Sequence, residues 1–130
     1  MANIIATNIK PSEQFKVCKA ISQIYNFRLI ENISKLDNID LIFASEYFEH
    51  FREPVKHLKQ ILNKLSPKYL LIANAFSTRS LGHFDYYLDD NIKYSGKEIS
   101  KVFNNTLKEM DYLQVKTTCW NNRPSYFIKK

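Results

Sequence analysis

Two carboxylates and an imidazole stand close together in this chain, at Glu46, Glu49 and His50, and a second histidine follows at His83. If the first segment turns helically, Glu46 lies one turn from Glu49 and His50 on a common face. Such groups bind divalent cations, and they equally suit general acid and base catalysis. The plainer alternative is that the two glutamates stabilise a helix start near its positive end, with His50 merely half exposed.

Two apolar segments frame these groups, and both are typical of strands buried on both faces of a parallel sheet. They are residues 40–45 and 69–76. Between them, Pro54 opens a predicted helix that ends at residues 66–67. Its predicted buried positions are Val55, Leu58, Ile61, Leu62 and Leu65. In this βαβ unit the segments after the two strands, which carry the histidines and glutamates, meet at the edge where open α/β sheets bind ligands. His57, within the helix, is predicted to lie at the surface.

The rest of the sequence also contains predicted strands and helices, and we predict that residues 1–130 form a single α/β domain. Residues 4–7 and 27–30 read as strands, and residues 11–25 as a helix opened by Pro11. Residues 77–94 read as a long polar loop. A capping box from Ser95 to Glu98 begins a further helix. Residues 112–119 and 125–128 are predicted to form an antiparallel hairpin around a turn at residues 121–124.

Composition limits the function classes. The chain of 130 residues has a net charge of +6 but no dense basic run, so a solvated lysine surface is favoured over a nucleic-acid partner. Two glycines are too few for a glycine-rich phosphate-binding loop. Cys18 and Cys119 match neither a zinc nor a disulfide pattern. With no signal peptide and no apolar run long enough for a membrane span, a cytoplasmic protein without membrane contact is expected.

One stretch carries a family resemblance. Residues 40–76, DLIFASEYFEHFREPVKHLKQILNKLSPKYLLIANAF, resemble the fourth strand, following helix and fifth strand of class I S-adenosylmethionine-dependent methyltransferases. That pattern is an apolar strand, E-x-x-E-H, a short spacer, Pro, and then L-x-x-x-x-x-x-L-x-P. It is matched at Glu46, Glu49, His50, Pro54 and Pro67. The terminal CWNNRPSYFIKK is similar to the final two strands of such enzymes.

The resemblance implies a metal-assisted methyl transfer to an oxygen or nitrogen acceptor. In quinone-biosynthesis O-methyltransferases and small-RNA 2′-O-methyltransferases, the E-x-x-E-H groups and a later histidine hold a divalent metal near the acceptor hydroxyl. Carried over, the metal ligands would be Glu46, Glu49, His50 and His83, with a cation such as Mg²⁺. Glu49, His50 and His83 would be the catalytic residues.

The same resemblance implies S-adenosylmethionine as cofactor, with Glu31, Ser45 and Glu46 as its contacts. Tyr86 and Tyr87 would line the acceptor pocket. The glycine turn that holds the cofactor in this family has no counterpart, because no glycine precedes Asp40. The chain therefore looks like the acceptor-side half of such an enzyme, which a partner chain would complete, or like a drastically shortened enzyme that builds the cofactor site in another way.

The implied fold is a truncated Rossmann-like three-layer sheet, mostly parallel with an antiparallel C-terminal hairpin. A truncated sheet leaves a free edge, so a homo-oligomer or a partner chain completing the sheet is expected. The alternative function is a non-catalytic, methyltransferase-like binding module that pairs with a protein partner or with nucleic acid through tyrosines that stack on bases.

Overall fold

A computed structural model describes residues 3–8, 12–118 and 123–130. The described residues form a mixed α/β structure of three α-helices and eight strands. They divide into two compact units, Met1–Leu36 and Asp37–Lys130. Pro11, Cys119 and the first half of the predicted hairpin turn lie outside the described residues. No helix within the described ranges is both long and apolar enough to cross a membrane.

The first unit is a short βαβ arrangement. Strand β1 (Ile5–Thr7) pairs in parallel with β2 (Arg28–Ile30), and helix α1 (Glu13–Tyr25) connects them. The Ser12 side chain caps α1 by accepting a hydrogen bond of 3.1 Å from the Phe15 amide. A 3-10 turn, Ile33–Lys35, follows β2. The predicted helix and both predicted strands are therefore present, with bounds shifted by one or two residues.

The second unit begins with the predicted βαβ motif. Strand β3 (Leu41–Ser45) pairs in parallel with β4 (Tyr69–Ala73), and α2 (Pro54–Leu65) joins them. All five predicted apolar positions of α2 are buried. The helix ends where Ser66 turns left-handed, with φ 43°. Proline in the first turn and an apolar stripe on one face were sufficient signals for this element.

Helix α3 (Gly96–Glu109) begins at the predicted capping box. The Ser95 hydroxyl accepts a hydrogen bond from the Glu98 amide, and the Glu98 carboxylate accepts one from the Ser95 amide. Gly96 is required here, because a Cβ would lie 2.1 Å from the Phe76 carbonyl oxygen. This contact joins the start of α3 to the loop after β4.

Strands β7 (Tyr112–Val115) and β8 (Ser125–Lys129) pair antiparallel, which confirms the predicted pairing, although β7 ends four residues before the predicted end at residue 119. Strand β8 also pairs antiparallel with β4, so the sheet order is β3-β4-β8-β7. Phe103 and Leu107 of α3 line a small cavity together with Ile72 and Phe127 of the sheet. Helix α3 therefore packs on the face of the sheet that carries Ile72 and Phe127.

The expectation of one mostly parallel sheet is not met. Among the described residues the strands form three separate sheets, and only two of the five strand pairings are parallel. Nor is β3 buried on both faces, since Phe43 is 65% exposed. An apolar run signals burial only when layers cover both faces of its sheet.

The predicted polar loop contains a hairpin that the sequence analysis missed. Strands β5 (Tyr87–Asp89) and β6 (Ile92–Tyr94) pair antiparallel. Asp90 and Asn91 form the two-residue turn, with φ 47° and 66°. Asp and Asn are among the residue types that adopt the left-handed conformation of a two-residue hairpin turn. The Asp90–Asn91 pair was therefore the sequence signal that was overlooked.

Candidate metal centre

Three of the four predicted metal ligands converge at the carboxyl ends of the parallel strands. Ligand atoms of Glu46, Glu49 and His83 all lie within 4.8 Å of one another. The two glutamates follow β3, and His83 lies in the loop after β4. The parallel β3–β4 pairing brings these two segments to the same sheet edge.

Glu49 is the buried member of this cluster. It lies in a 3-10 turn, Phe48–His50, and none of its surface is exposed. Its Oε1 accepts a hydrogen bond of 2.8 Å from the Ala75 amide, whereas its Oε2 is buried with no hydrogen-bond partner. Burial raises the pKa of the Glu49 carboxyl, backbone hydrogen bonds such as that from Ala75 offset part of the rise, and the neighbouring Glu46 carboxylate adds to it. A buried anionic oxygen without a donor needs either a proton or a cation.

Glu46 sits at the strand end in a left-handed conformation, with φ 49°. Its amide donates to the Ala73 carbonyl oxygen at 2.8 Å, so the β3–β4 ladder continues to this residue. The residue is exposed, and its carboxylate completes the cluster from the solvent side. Residues 46–50 therefore do not form one continuous helical turn: Glu46 is left-handed, and only Phe48–His50 form a 3-10 turn.

His83 is held in one tautomer by its loop. Its Nδ1 lies 2.8 Å from the Thr78 carbonyl oxygen. Because a carbonyl oxygen only accepts, Nδ1 carries a hydrogen, which leaves Nε2 as the nitrogen that can bind a metal. Metal-binding histidines commonly donate their other ring nitrogen to a carbonyl or carboxylate in this way.

His50 does not join the three clustered ligands but lies beside them. Its Nδ1 is 3.2 Å from the Gly82 carbonyl oxygen, so by the same argument Nδ1 donates and Nε2 is the nitrogen left for a ligand or a proton. The His50 and His83 rings meet edge to face, with centroids 5.0 Å apart. Gly82 has φ +84°, and a Cβ there would lie 3.0 Å from His50 Nδ1. A glycine therefore suits this close contact.

Arg52 ties the two ligand-bearing segments together, a role that sequence reasoning missed. Its guanidinium donates to the Tyr86 carbonyl oxygen at 2.6 Å and lies 4.3 Å from the centroid of the Phe84 ring and 4.2 Å from that of Tyr86. The Arg52 carbonyl oxygen accepts from the Leu88 amide at 2.8 Å. These contacts hold the segment that follows His83 against the segment that follows His50. No local sequence pattern indicates this pairing.

The remaining residues of the predicted site lie in different surroundings. Tyr87 is fully buried and donates from its hydroxyl to the Glu49 carbonyl oxygen at 3.2 Å, so it supports the turn that carries Glu49. Tyr86 is half-buried against Arg52. Ser45 ends β3 and is exposed, and Glu31 follows β2 in the first unit.

His57, predicted at the surface, is half-buried. It stacks on Phe51 with ring centroids 3.9 Å apart, and it shares a hydrogen bond of 3.0 Å with the Tyr47 hydroxyl. Burial lowers the pKa of His57. The surface prediction failed because the neighbouring lysines mark only the outer side of α2, whereas His57 turns toward the aromatic residues that follow β3.

A cavity of about 750 Å³ adjoins the cluster and includes His83 in its wall. Phe76 and Phe84 provide aromatic walls, and Arg79 and Lys97 provide charged ones. Its size falls within the range of small-molecule sites. No family model, curated protein or solved structure matches this chain.

Proposed function

We propose that this chain is the acceptor-side half of a class I S-adenosylmethionine-dependent methyltransferase, with a divalent cation held by Glu46, Glu49 and His83. The observation that carries the proposal is the buried Oε2 of Glu49, which has no hydrogen-bond partner and lies in a cluster of three ligand groups. A carboxylate is stable there when a cation neutralises it. Helix capping does not explain the arrangement, because Glu49 bonds to Ala75 after β4 and not to a helix start.

The fold supports the proposal at the positions that carry the family resemblance. The E-x-x-E-H residues follow a strand that pairs in parallel with the next one through α2. An antiparallel hairpin continues the same sheet. Both features agree with the strands to which this stretch is similar.

The donor set fits a small divalent ion. Two carboxylates and one neutral imidazole offer hard oxygen and borderline nitrogen ligands, a combination that suits Mn²⁺ and tolerates Mg²⁺. When bound, such an ion lowers the pKa of a coordinated acceptor hydroxyl. Nε2 of His50 would accept the acceptor's proton, and the cavity beside His83 would hold the rest of the acceptor.

The residues present do not fit the cofactor in the same way. Both glycines of the chain already serve other contacts, Gly82 against His50 and Gly96 against Phe76. Neither belongs to a turn that could cradle a nucleotide-type cofactor. We therefore assign the cofactor half to a partner chain. Among the described strands only β4 pairs with β3, so the other edge of β3 is the side where a further strand would join this sheet.

Calorimetric titration tests the two parts separately. Mn²⁺ should bind with one site per chain, and Glu49→Gln should remove that site while Glu53→Gln does not. Glu53 is a matched control because its carboxylate pairs with Lys56 outside the cluster. S-adenosylmethionine and its demethylated product should give no heat with this chain alone, with or without Mn²⁺. Absence of Mn²⁺ binding would contradict the proposed metal site. S-adenosylmethionine binding to this chain alone with a Kd below about 100 μM would contradict the proposal that a partner chain holds the cofactor.

A further inference from the structure

The cavity beside His83 has two cationic side chains in its wall, Arg79 and Lys97. In the part of the chain that the structure describes, neither cation forms an ion pair, whereas Lys56 and Lys64 each pair with a carboxylate. A guanidinium and an ammonium are the side-chain groups that bind carboxylates and phosphates, the first through two parallel hydrogen bonds. Two such groups in one wall, both without a paired carboxylate, suit an anionic ligand.

The acidic groups near this cavity do not cancel its positive charge. Among the described residues of the wall, Asp85 is the one acidic side chain. Glu98 follows Lys97 by one position, but its carboxylate accepts hydrogen bonds from the Ser95 amide at 2.8 Å and the Ser95 hydroxyl at 2.7 Å. Two cations against one carboxylate leave the wall with excess positive charge, and the chain as a whole carries +6. This field favours a negatively charged ligand over a neutral one.

The loop that carries Arg79 is braced by its own hydrogen bonds. The Thr78 amide donates to the Ala75 carbonyl oxygen at 3.0 Å, and the Thr78 carbonyl oxygen accepts from Nδ1 of His83 at 2.8 Å. The His83 amide donates to the Ser80 carbonyl oxygen at 3.1 Å. Arg79 therefore lies between two anchored residues, and little backbone ordering opposes ligand binding there.

Lys97 is fixed against the same loop through its neighbour Gly96. The Gly96 backbone comes so close to Phe76 that a Cβ would lie 2.1 Å from the Phe76 carbonyl oxygen. Another wall residue, Phe84, is held by Arg52, whose guanidinium lies 4.3 Å from the centroid of the Phe84 ring. The cavity is therefore built from segments that contact each other closely, as is usual for small-molecule sites.

We propose that the methyl acceptor carries an anionic group, a carboxylate or a phosphate, that Arg79 and Lys97 bind in this cavity. The inference rests on the proposed function, because it names the acceptor class of that same site. His83 belongs both to the candidate metal cluster and to the cavity wall, so an acceptor held by the two cations lies beside a proposed metal ligand. The cavity volume of about 750 Å³ accommodates a small molecule with an apolar body in addition to its anionic group.

Titration of the full chain with benzoate and with phenyl phosphate, in EDTA and followed by ¹H–¹⁵N NMR, tests the proposal. Benzamide is the uncharged match for benzoate. Both anions should shift the amide signals of Arg79, Phe84 and Lys97, and benzamide should bind at least about fivefold more weakly than benzoate. The more tightly bound anion indicates which of the two groups the acceptor carries.

Charge-changing variants have opposite expected effects. Arg79→Gln and Lys97→Gln should each weaken benzoate binding about three- to tenfold, because each removes one cation from the wall. Asp85→Asn should strengthen it about two- to threefold, because it removes the negative charge of the wall. Lys101→Gln is the matched control, since Lys101 is an exposed lysine of α3 one turn beyond Lys97 and outside the wall, and it should leave binding unchanged.

Several results would overturn the anionic acceptor. These are no amide shifts up to about 20 mM of either anion, equal binding of benzoate and benzamide, or a Lys101→Gln effect as large as that of Arg79→Gln. Both wall cations are exposed, and circular dichroism identifies a variant that fails to fold, so each variant decides by itself. Anion binding by a chain that does not bind Mn²⁺ would contradict the metal site alone, and Mn²⁺ binding without anion binding would contradict this inference alone.

Discussion

Replacing Glu49 by glutamine separates a cation ligand from a structural carboxylate. The substitution keeps the shape of the side chain and an oxygen that can accept from the Ala75 amide, the bond of 2.8 Å that the carboxylate makes. It removes only the negative charge. The new amide group can also donate to the Glu46 carboxylate, which lies in the same cluster. The variant should therefore fold as wild type does.

The expected effects have opposite signs with and without metal. Removing one partner of a buried charge pair costs about 3–5 kcal/mol, and Glu49 is the buried carboxylate of the cluster. The variant should therefore bind Mn²⁺ more than 100-fold more weakly. In EDTA at pH 7 it should be more stable than wild type by about 1–3 kcal/mol, because a buried and unpartnered anionic oxygen is gone.

Urea unfolding followed by circular dichroism measures both effects. At a Mn²⁺ concentration of about 100 times Kd, wild type should gain about 2.7 kcal/mol in unfolding free energy, and Glu49→Gln should gain almost none. Glu53→Gln should respond as wild type does. A variant that is less stable than wild type in EDTA and equally responsive to Mn²⁺ would refute the reasoning, because the carboxylate would then be structural.

Three further outcomes follow from individual contacts. Arg52→Lys should weaken Mn²⁺ binding about 10-fold in calorimetry, because the hydrogen bond from the guanidinium to the Tyr86 carbonyl oxygen is lost. Lys93→Gln is the control: it removes the other cation that lies over the Tyr86 ring and should leave Mn²⁺ binding unchanged. Gly96→Ala should lower the unfolding free energy by about 1–3 kcal/mol in urea titrations, because its Cβ would meet backbone. The pKa of His57 is lower in the folded protein than in the unfolded chain, so below about pH 6.5 the unfolded chain binds a proton at His57 more readily. The unfolding free energy should therefore fall from pH 7 to 5. His57→Phe should reduce this pH dependence.

The elements with strong local signals were predictable from the sequence. Helix α2 combines proline in its first turn with a complete apolar stripe, and α3 combines a capping box with helical periodicity. The cluster itself was foreseen at Glu46, Glu49 and His83, because parallel strands bring their carboxyl ends to one edge. Local pattern and topology agree at these positions.

The features that were missed depend on contacts between distant residues. The bond between Arg52 and Tyr86 spans 34 positions, and no periodicity encodes it. The place of His50 beside His83 follows from its bond to Gly82, 32 positions away. The exposure of Phe43 depends on which strands and helices surround β3, which an apolar run alone does not specify.

Paramagnetic broadening by Mn²⁺ in the ¹H–¹⁵N NMR spectrum tests the central claim most directly. Substoichiometric Mn²⁺ should first weaken the amide signals of Glu46, Glu49, Ala75 and His83, which surround the cluster. The acidic turn at Asp90 serves as an internal control, because its carboxylate lies outside the cluster. Selective loss at the first four positions is the predicted result. Loss that begins at Asp90, or that spreads evenly over acidic residues, would contradict a metal site at the ends of the parallel strands.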